Sequence, residues 1–129
     1  MLEIPAQKTR VLIVDDRPET LKILGRVIEV AGFEPHLAMS GAEALEIYPT
    51  VRPHVVLLDL GMPGMDGFQA CRWIRQQPDS AAVLIVIVSG YDQPEQKVKA
   101  IEAGANYYLV KPVDATKLVT LIEQHVDEE

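Results

Sequence analysis

The feature that most constrains the fold is a set of four short, unbroken apolar runs, each followed by a polar residue. The runs are Val11–Val14 before Asp15, Val55–Leu58 before Asp59, Val83–Val88 before Ser89, and Tyr107–Val110 before Lys111. Continuous apolarity is typical of strands that are covered on both faces, as in a parallel sheet. A fifth strand of weaker pattern is predicted around Phe33–Met39.

Between these runs, apolar residues recur at helical spacing and predict five helices. The first helix has Pro18 near its start and Gly32 just past its end, and the second opens with a Ser40/Glu43 capping box and ends before Pro49. The third covers Phe68 to Arg75. The fourth has an Asp92/Glu95 cap and ends at Gly104, and the fifth is capped by Asp114. Strands that alternate with helices in this way predict a doubly wound α/β fold with a five-stranded parallel sheet.

The composition fits one soluble domain over residues 1–129, with a core at about 10–126 and frayed ends at Met1–Gln7 and Asp127–Glu129. The net charge of −7 argues against a direct grip on nucleic acid. We expect no membrane segment, because no apolar run approaches the roughly 18 residues that span a bilayer. Cys71 is the only cysteine, so a cytoplasmic location and a buried, structural thiol are expected.

The polar residues at the strand ends are the candidate site. In open α/β sheets, ligands bind beyond the carboxyl ends of the strands. Taken singly, Asp16 reads as a helix cap, Ser89 as a turn residue and Lys111 as a surface lysine. Jointly, such readings do not explain why every strand but one ends in a reactive group. We therefore expect Asp15, Asp16, Asp59, Ser89 and Lys111 to converge.

Three clustered carboxylates repel one another unless a cation lies among them. Hard oxygen ligands suit Mg²⁺, or Mn²⁺ in its place. With a lysine and a hydroxyl nearby, a carboxylate can act as the nucleophile of a phosphoryl transfer. Gly61, Gly64 and Gly67 follow Asp59 and suit a turn whose backbone comes close to a metal and a phosphate.

Two other phosphate-binding classes are excluded by single residues. A flavodoxin-type phosphate cradle needs amides and hydroxyls in the first loop, where Asp15 and Asp16 would repel the anion. A phosphatase of the haloacid dehalogenase type needs a second Asp two places after its nucleophile. Gly61 occupies that place here.

With these residues identified, the sequence closely resembles the receiver domain of two-component response regulators and hybrid histidine kinases. The likeness runs from Arg10 to about Val126. Its segments are Val11-Leu-Ile-Val-Asp-Asp16, Val55-Val-Leu-Leu-Asp-Leu-Gly-Met-Pro-Gly-Met-Asp-Gly67, Val86-Ile-Val-Ser-Gly90 and Gly104-Ala-Asn-Tyr-Tyr-Leu-Val-Lys-Pro112. The resemblance implies a flavodoxin-like strand order of 2-1-3-4-5.

The resemblance also implies a role for each acidic residue. Asp59 is expected to accept the phosphoryl group and to bind Mg²⁺. Asp16 would be a direct metal ligand, Asp15 would hold a metal-bound water, and the backbone carbonyl of Gly61 would complete the protein's share of the coordination.

Four further residues acquire expected roles in the same way. Ser89 corresponds to the switch hydroxyl, and Tyr108 to the switch aromatic that follows it. Lys111 corresponds to the ion-pair partner of the phosphoryl group, and its bond to Pro112 is expected to be cis. Tyr107, which precedes Tyr108, is expected to have a structural role.

The implied function is a phosphorelay receiver that accepts a phosphoryl group from a histidine kinase or a histidine phosphotransfer domain. It would then switch a partner-binding face formed by the fourth helix, the fifth strand and the fifth helix. We expect no enzymatic activity beyond its own phosphorylation and dephosphorylation, and a monomer or weak homodimer. The alternative is a receiver-like scaffold that binds partners without phosphorylation. Two origins stay open, a stand-alone regulator and a domain of a longer protein such as a hybrid kinase.

Overall fold

The chain folds around one parallel sheet in the order β2-β1-β3-β4-β5. The structure is a computed structural model that describes residues 8–127. Its strands are β1 (Arg10–Val14), β2 (Glu34–Ala38), β3 (Val55–Asp59), β4 (Leu84–Ser89) and β5 (Tyr107–Val110). Every neighbouring pair is parallel. The predicted fold class, strand count and strand order are confirmed.

Five α-helices connect the strands and cover both faces of the sheet. They are α1 (Pro18–Val30), α2 (Gly41–Val51), α3 (Gly67–Arg75), α4 (Pro94–Glu102) and α5 (Ala115–Asp127), with a short 3₁₀ helix at Ser80–Ala82. No helix within residues 8–127 is both long and apolar enough to cross a bilayer. The predicted frayed ends lie outside the described residues, apart from Asp127, which closes α5.

The core consists of two apolar layers because side chains along a strand alternate between the faces of the sheet. Leu12, Val56 and Ile85 point toward the layer that contains Cys71 and Ile74 of α3. The opposite layer takes the alternate strand residues and closes on α1 and α5. Its fully buried members from these elements are Val11, Ile13, Val55, Leu57, Val86, Ile28, Leu118 and Ile122. Strands buried on both sides explain the unbroken apolar runs of the sequence.

Several predicted helix ends are confirmed. Pro18 lies at the start of α1, and Gly32, just past its end, has a φ of +94° that glycine adopts without steric cost. The Ser40 hydroxyl accepts the amide of Glu43 at 3.1 Å and opens α2. Asp114 caps α5 by accepting the amide of Lys117 at 3.2 Å.

Two predicted helix ends are wrong. The second helix does not stop before Pro49, which lies inside α2. The fourth helix is not capped by Asp92, because it begins at Pro94 with Gln93 at its N-cap and no side-chain cap bond. Asp92 instead pairs with Lys97, with 2.7 Å between its Oδ1 and the lysine Nζ.

Candidate functional site

The acidic residues meet at the carboxyl edge of the sheet because β1 and β3 are neighbours in register. Val14 lies opposite Leu58, so the residues that follow them, Asp15 and Asp59, lie side by side. One carboxylate oxygen each of Asp15, Asp16 and Asp59 lies within 4.8 Å of the others. Asp15 and Asp59 are buried, while Asp16 is more open to solvent. Asp16 does not cap α1, whose N-cap is Arg17.

A single ammonium group balances part of this negative charge. Lys111 Nζ lies 3.0 Å from Oδ1 of Asp59 and 3.5 Å from Oδ2 of Asp15. Burial raises the pKa of Asp15, an effect opposed by the hydrogen bond from the Arg17 amide and reinforced by the charge of Asp59. With all three acids ionised, the formal charge is −3 + 1 = −2 over these four residues. A divalent cation could neutralise that charge, and the three carboxylates are ligands of the kind that Mg²⁺ prefers.

Lys111 is placed by the end of the neighbouring strand. Its backbone amide donates to the carbonyl of Ser89 at 2.7 Å, which joins the carboxyl ends of β4 and β5. The peptide bond between Lys111 and Pro112 is cis. The lysine side chain is 24% exposed and reaches across β4 to the acids of β1 and β3.

Ser89 and Tyr108 both hold the loop between β4 and α4. The hydroxyl of the buried Ser89 accepts the amide of Tyr91 at 3.0 Å. The hydroxyl of Tyr108 donates to the carbonyl of the same Tyr91 at 2.7 Å. Tyr107, next to it in β5, is 45% exposed. Ser89 lies one place past Val88, the residue opposite Asp59. Ser89 and Tyr108 thus both bond to Tyr91.

The loop after β3 approaches Asp59 closely. A Cβ on Gly67 would lie 2.7 Å from the backbone carbonyl oxygen of Asp59, so only glycine fits there. Gly61 has open space around it, which leaves its backbone accessible. Asp66 and Gln69 form a reciprocal capping box that starts α3, with bonds of 2.9 and 3.0 Å. Sequence reasoning missed this box, although its acid-x-x-Gln pattern is a recognised helix start.

The structure therefore brings Asp15, Asp16, Asp59 and Lys111 together and places Ser89 at the adjoining strand end. The fold is thus a doubly wound α/β domain with three carboxylates and a lysine at the carboxyl edge of its sheet, where such folds bind ligands. The profile of the response regulator receiver domain matches residues 11–123. The chain belongs to this family. It is a receiver domain of two-component response regulators, consistent with phosphorelay signalling.

Individual relatives agree with this assignment. Protein PilH of Pseudomonas aeruginosa is 37% identical over 113 residues, which cover 88% of this chain and 93% of PilH. Regulatory protein AtoC of Escherichia coli is 34% identical over 115 residues, but the match spans only 24% of AtoC and 89% of this chain. The chain is thus similar in length to some relatives and spans about a quarter of others.

Solved structures show the same fold. The chemotaxis protein CheY4 of Vibrio cholerae superimposes with a TM-score of 0.87 at 29% identity, covering 92% of this chain and 98% of that one. A response regulator from Chloroflexus aurantiacus gives 0.87 at 32% identity, covering 94% and 99%. Receivers of this family interact with histidine kinases and downstream effectors.

Proposed function

We propose that Asp59 accepts a phosphoryl group from a phosphohistidine, carried by a histidine kinase or a histidine phosphotransfer domain, and that Mg²⁺ or Mn²⁺ assists. The observation that carries the proposal is the contact of 3.0 Å between Lys111 and Asp59 inside a three-carboxylate cluster. The buried carboxylate of Asp59 lies beside the Lys111 ammonium and two further carboxylates that can bind a metal. A carboxylate in such surroundings can act as a nucleophile, unlike an ordinary surface acid.

The residues present fit a divalent cation. Asp16 and Asp59 would supply carboxylate oxygens and the backbone carbonyl of Gly61 a third ligand, while Asp15 would hold a water on the metal. When bound, the metal supplies positive charge that offsets the carboxylates and the phosphoryl oxygens. Asp15 must be ionised for this role, and its raised pKa makes its ionisation in the metal-free protein more costly than in water.

Transfer needs little covalent chemistry from the chain. An oxygen of Asp59 forms a bond to phosphorus while the phosphorus–nitrogen bond of the donor breaks, and the electron pair leaves on the imidazole nitrogen. Lys111 bonds to Oδ1 of Asp59, so the second oxygen stays available. The lysine ammonium then pairs with a phosphoryl oxygen and stabilises the added negative charge.

The signal passes outward through Ser89. A phosphoryl oxygen on Asp59 accepts a hydrogen bond from the Ser89 hydroxyl and draws that hydroxyl away from the Tyr91 amide, which at present donates to it. Release of that amide changes the loop to which Tyr108 is also bonded. The equilibrium between two arrangements of the face formed by α4, β5 and α5 is thereby shifted. Val98, Ile101 and Tyr107 expose apolar surface on this face and suit a protein partner.

Other activities are not part of the proposal. Position 61 is glycine, so the chain lacks the second Asp that an aspartyl-phosphate phosphatase has two places after its nucleophile. It therefore catalyses only its own phosphorylation and dephosphorylation. Its net charge of −7 opposes direct nucleic-acid binding. It acts as a monomer or weak homodimer through protein contacts.

Thermal unfolding with Mg²⁺ and beryllofluoride, a phosphoryl mimic, tests the proposal against the phosphorylation-independent scaffold. A ligand at about a hundred times its Kd stabilises the folded state by about 2.7 kcal/mol. We expect beryllofluoride to raise the unfolding temperature beyond any effect of Mg²⁺ alone, to have no effect without Mg²⁺, and to have none in Asp59→Asn. No shift in the wild-type protein contradicts the proposal and favours the scaffold.

A further inference from the structure

The C-terminal end of α4 is attached to the rest of the domain by buried contacts. Ala100, near this end, is 1% exposed, and Ala103 just beyond it is 4% exposed. The thiol of Cys71 in α3 donates to the carbonyl of Ala103 at 3.3 Å. This end of the helix is therefore packed on α3.

Arg75, the last residue of α3, makes three hydrogen bonds beside this end of α4. Its Nε donates to the carbonyl of Gly104 at 2.8 Å, its Nη1 to the carbonyl of Ser80 at 2.5 Å, and its Nη2 to Oδ1 of Asn106 at 2.8 Å. All three acceptors are neutral. One planar guanidinium thus joins α3, the 3₁₀ helix and the segment between α4 and β5.

The surrounding residues are shaped for this arginine. Gly104 has a φ of +104°, and a Cβ there would lie 2.5 Å from Cγ of Arg75. Oδ1 of Asn106 also accepts the amide of Ile85 at 2.8 Å, which extends the connection to the start of β4. The four residues Arg75, Gly104, Asn106 and Ser80 are called the Arg75 clamp below.

The N-terminal end of α4 has no comparable attachment. Ala100 is the only buried residue of α4, and it lies near the C-terminal end of the helix. Gln93, the N-cap, provides no side-chain bond. Tyr91 is 60% exposed and is held by the bonds to Ser89 and Tyr108. The one ion pair of this end within the described chain, Asp92 with Lys97, is exposed and contributes little.

We propose that Arg75 is a positioning residue that fixes the C-terminal end of α4, so that a change at Ser89 and Tyr108 turns the helix about this fixed end. The proposal rests on the proposed switch function of Ser89. The clamp confines movement to the end of α4 that lies beside the phosphorylation site. Without it, the same change would be dissipated in a shift of the whole helix.

Native-state hydrogen exchange tests the clamp without any phosphorylation. Arg75→Met removes all three donors and keeps the aliphatic stem, whereas Arg72→Met, on the exposed side of α3, is the matched control. The amides of Ala103, Gly104, Ala105 and Asn106 are hydrogen-bonded in the structure. In Arg75→Met we expect them to exchange about tenfold faster than in the control, relative to amides of β1.

A milder variant keeps the test decisive if Arg75→Met folds poorly. Arg75→Lys retains a cation that reaches fewer acceptors than the planar guanidinium, so exchange should accelerate by an intermediate factor. Unchanged exchange at residues 103–106, or equal acceleration across the whole domain, overturns the clamp as a local anchor.

Amide chemical shifts with Mg²⁺ and beryllofluoride test the turning of α4. In the wild-type protein, changes should be larger at residues 90–97 than at 101–106, and in Arg75→Met the two ends should change to a similar extent. Equal changes at both ends of the wild-type helix overturn the inference. If no residue responds, including Asp15 and Asp59, the proposed function fails instead, and the exchange measurement still decides whether the clamp holds.

Discussion

The ammonium of Lys111 is shared between two buried carboxylates, at 3.0 Å from Asp59 and 3.5 Å from Asp15. The two acids come from adjacent strands, whereas the lysine follows β5 at the edge of the sheet. Because the acids are 7% and 3% exposed, neither can rely on water alone to stabilise its charge.

We therefore expect Lys111→Met to destabilise the metal-free protein by about 1–3 kcal/mol. This is less than for a fully buried pair because the lysine side chain is 24% exposed. Urea unfolding in a chelator measures the effect, and added Mg²⁺ should restore part of the loss. Lys97→Met, which removes an exposed pair with Asp92, should change stability by less than about 1 kcal/mol. Equal effects of the two variants would contradict the shared role of Lys111.

Gly67→Ala should destabilise the fold and displace Asp59. The added Cβ would meet backbone atoms, at 2.7 Å from the Asp59 oxygen and 3.0 Å from Leu60 Cα, which cannot rotate away. We expect a loss of about 1–3 kcal/mol in urea unfolding, typical of overpacking. Gly61→Ala is the control, since nothing lies within 4 Å of its Cβ position, and it should stay within about 0.5 kcal/mol of wild type. A neutral Gly67→Ala would refute the close approach.

Tyr108→Phe removes only the hydroxyl that holds the Tyr91 carbonyl at 2.7 Å. We expect a small loss of stability, about 0.5–1 kcal/mol, because the bond is exposed. Hydrogen exchange in the loop at residues 90–93 should become faster, while β1 is unaffected. Tyr107→Phe, in a neighbouring exposed position, should change neither. Indistinguishable behaviour of the two variants would show that the hydroxyl does not restrain the loop.

The buried thiol of Cys71 predicts a loss of stability at high pH. Burial raises the pKa of Cys71 to about 11 from an ordinary value of 9.0. Between these values the unfolded chain has lost the proton and the folded chain has kept it, so stability falls as pH rises through this interval. The free energy of unfolding relative to Cys71→Ala should fall by about 1–3 kcal/mol across it. A difference that does not vary with pH would contradict the raised pKa.

The sequence patterns predicted the central sheet well because the relevant information is local. A strand buried on both faces has to be apolar throughout, and the carboxyl ends of parallel strands meet at one edge. The positions of Asp15, Asp59 and Lys111 in the fold follow from these two facts alone. Their distances from one another depend on strand register, which the patterns did not specify.

At the end of α2 the prediction was wrong because local patterns do not report contacts between residues that are distant in the chain. Pro49 cannot donate to the carbonyl of Leu45, a defect that normally ends a helix. The last turn of α2 nevertheless continues to Val51, whose carbonyl accepts a hydrogen bond from Arg10 Nε at 2.8 Å. Tyr48 also packs edge-on against Trp73, with ring centres 5.7 Å apart. The Arg75 clamp escaped prediction for the same reason, since its partners lie up to 31 residues away.

Locating the phosphoryl group chemically tests the central claim most directly. Wild-type protein is incubated with Mg²⁺ and acetyl phosphate, reduced with borohydride, which converts an aspartyl phosphate to homoserine, and mapped by peptide mass spectrometry. Asp79→Asn is the control for the loss of one carboxylate. Asp79 is exposed, lies far from the site and has a left-handed backbone conformation that asparagine also adopts. We predict homoserine at position 59 alone in the wild type and the control, and none in Asp59→Asn or in chelator. Modification at another carboxylate, or labelling that survives in Asp59→Asn, would contradict the account.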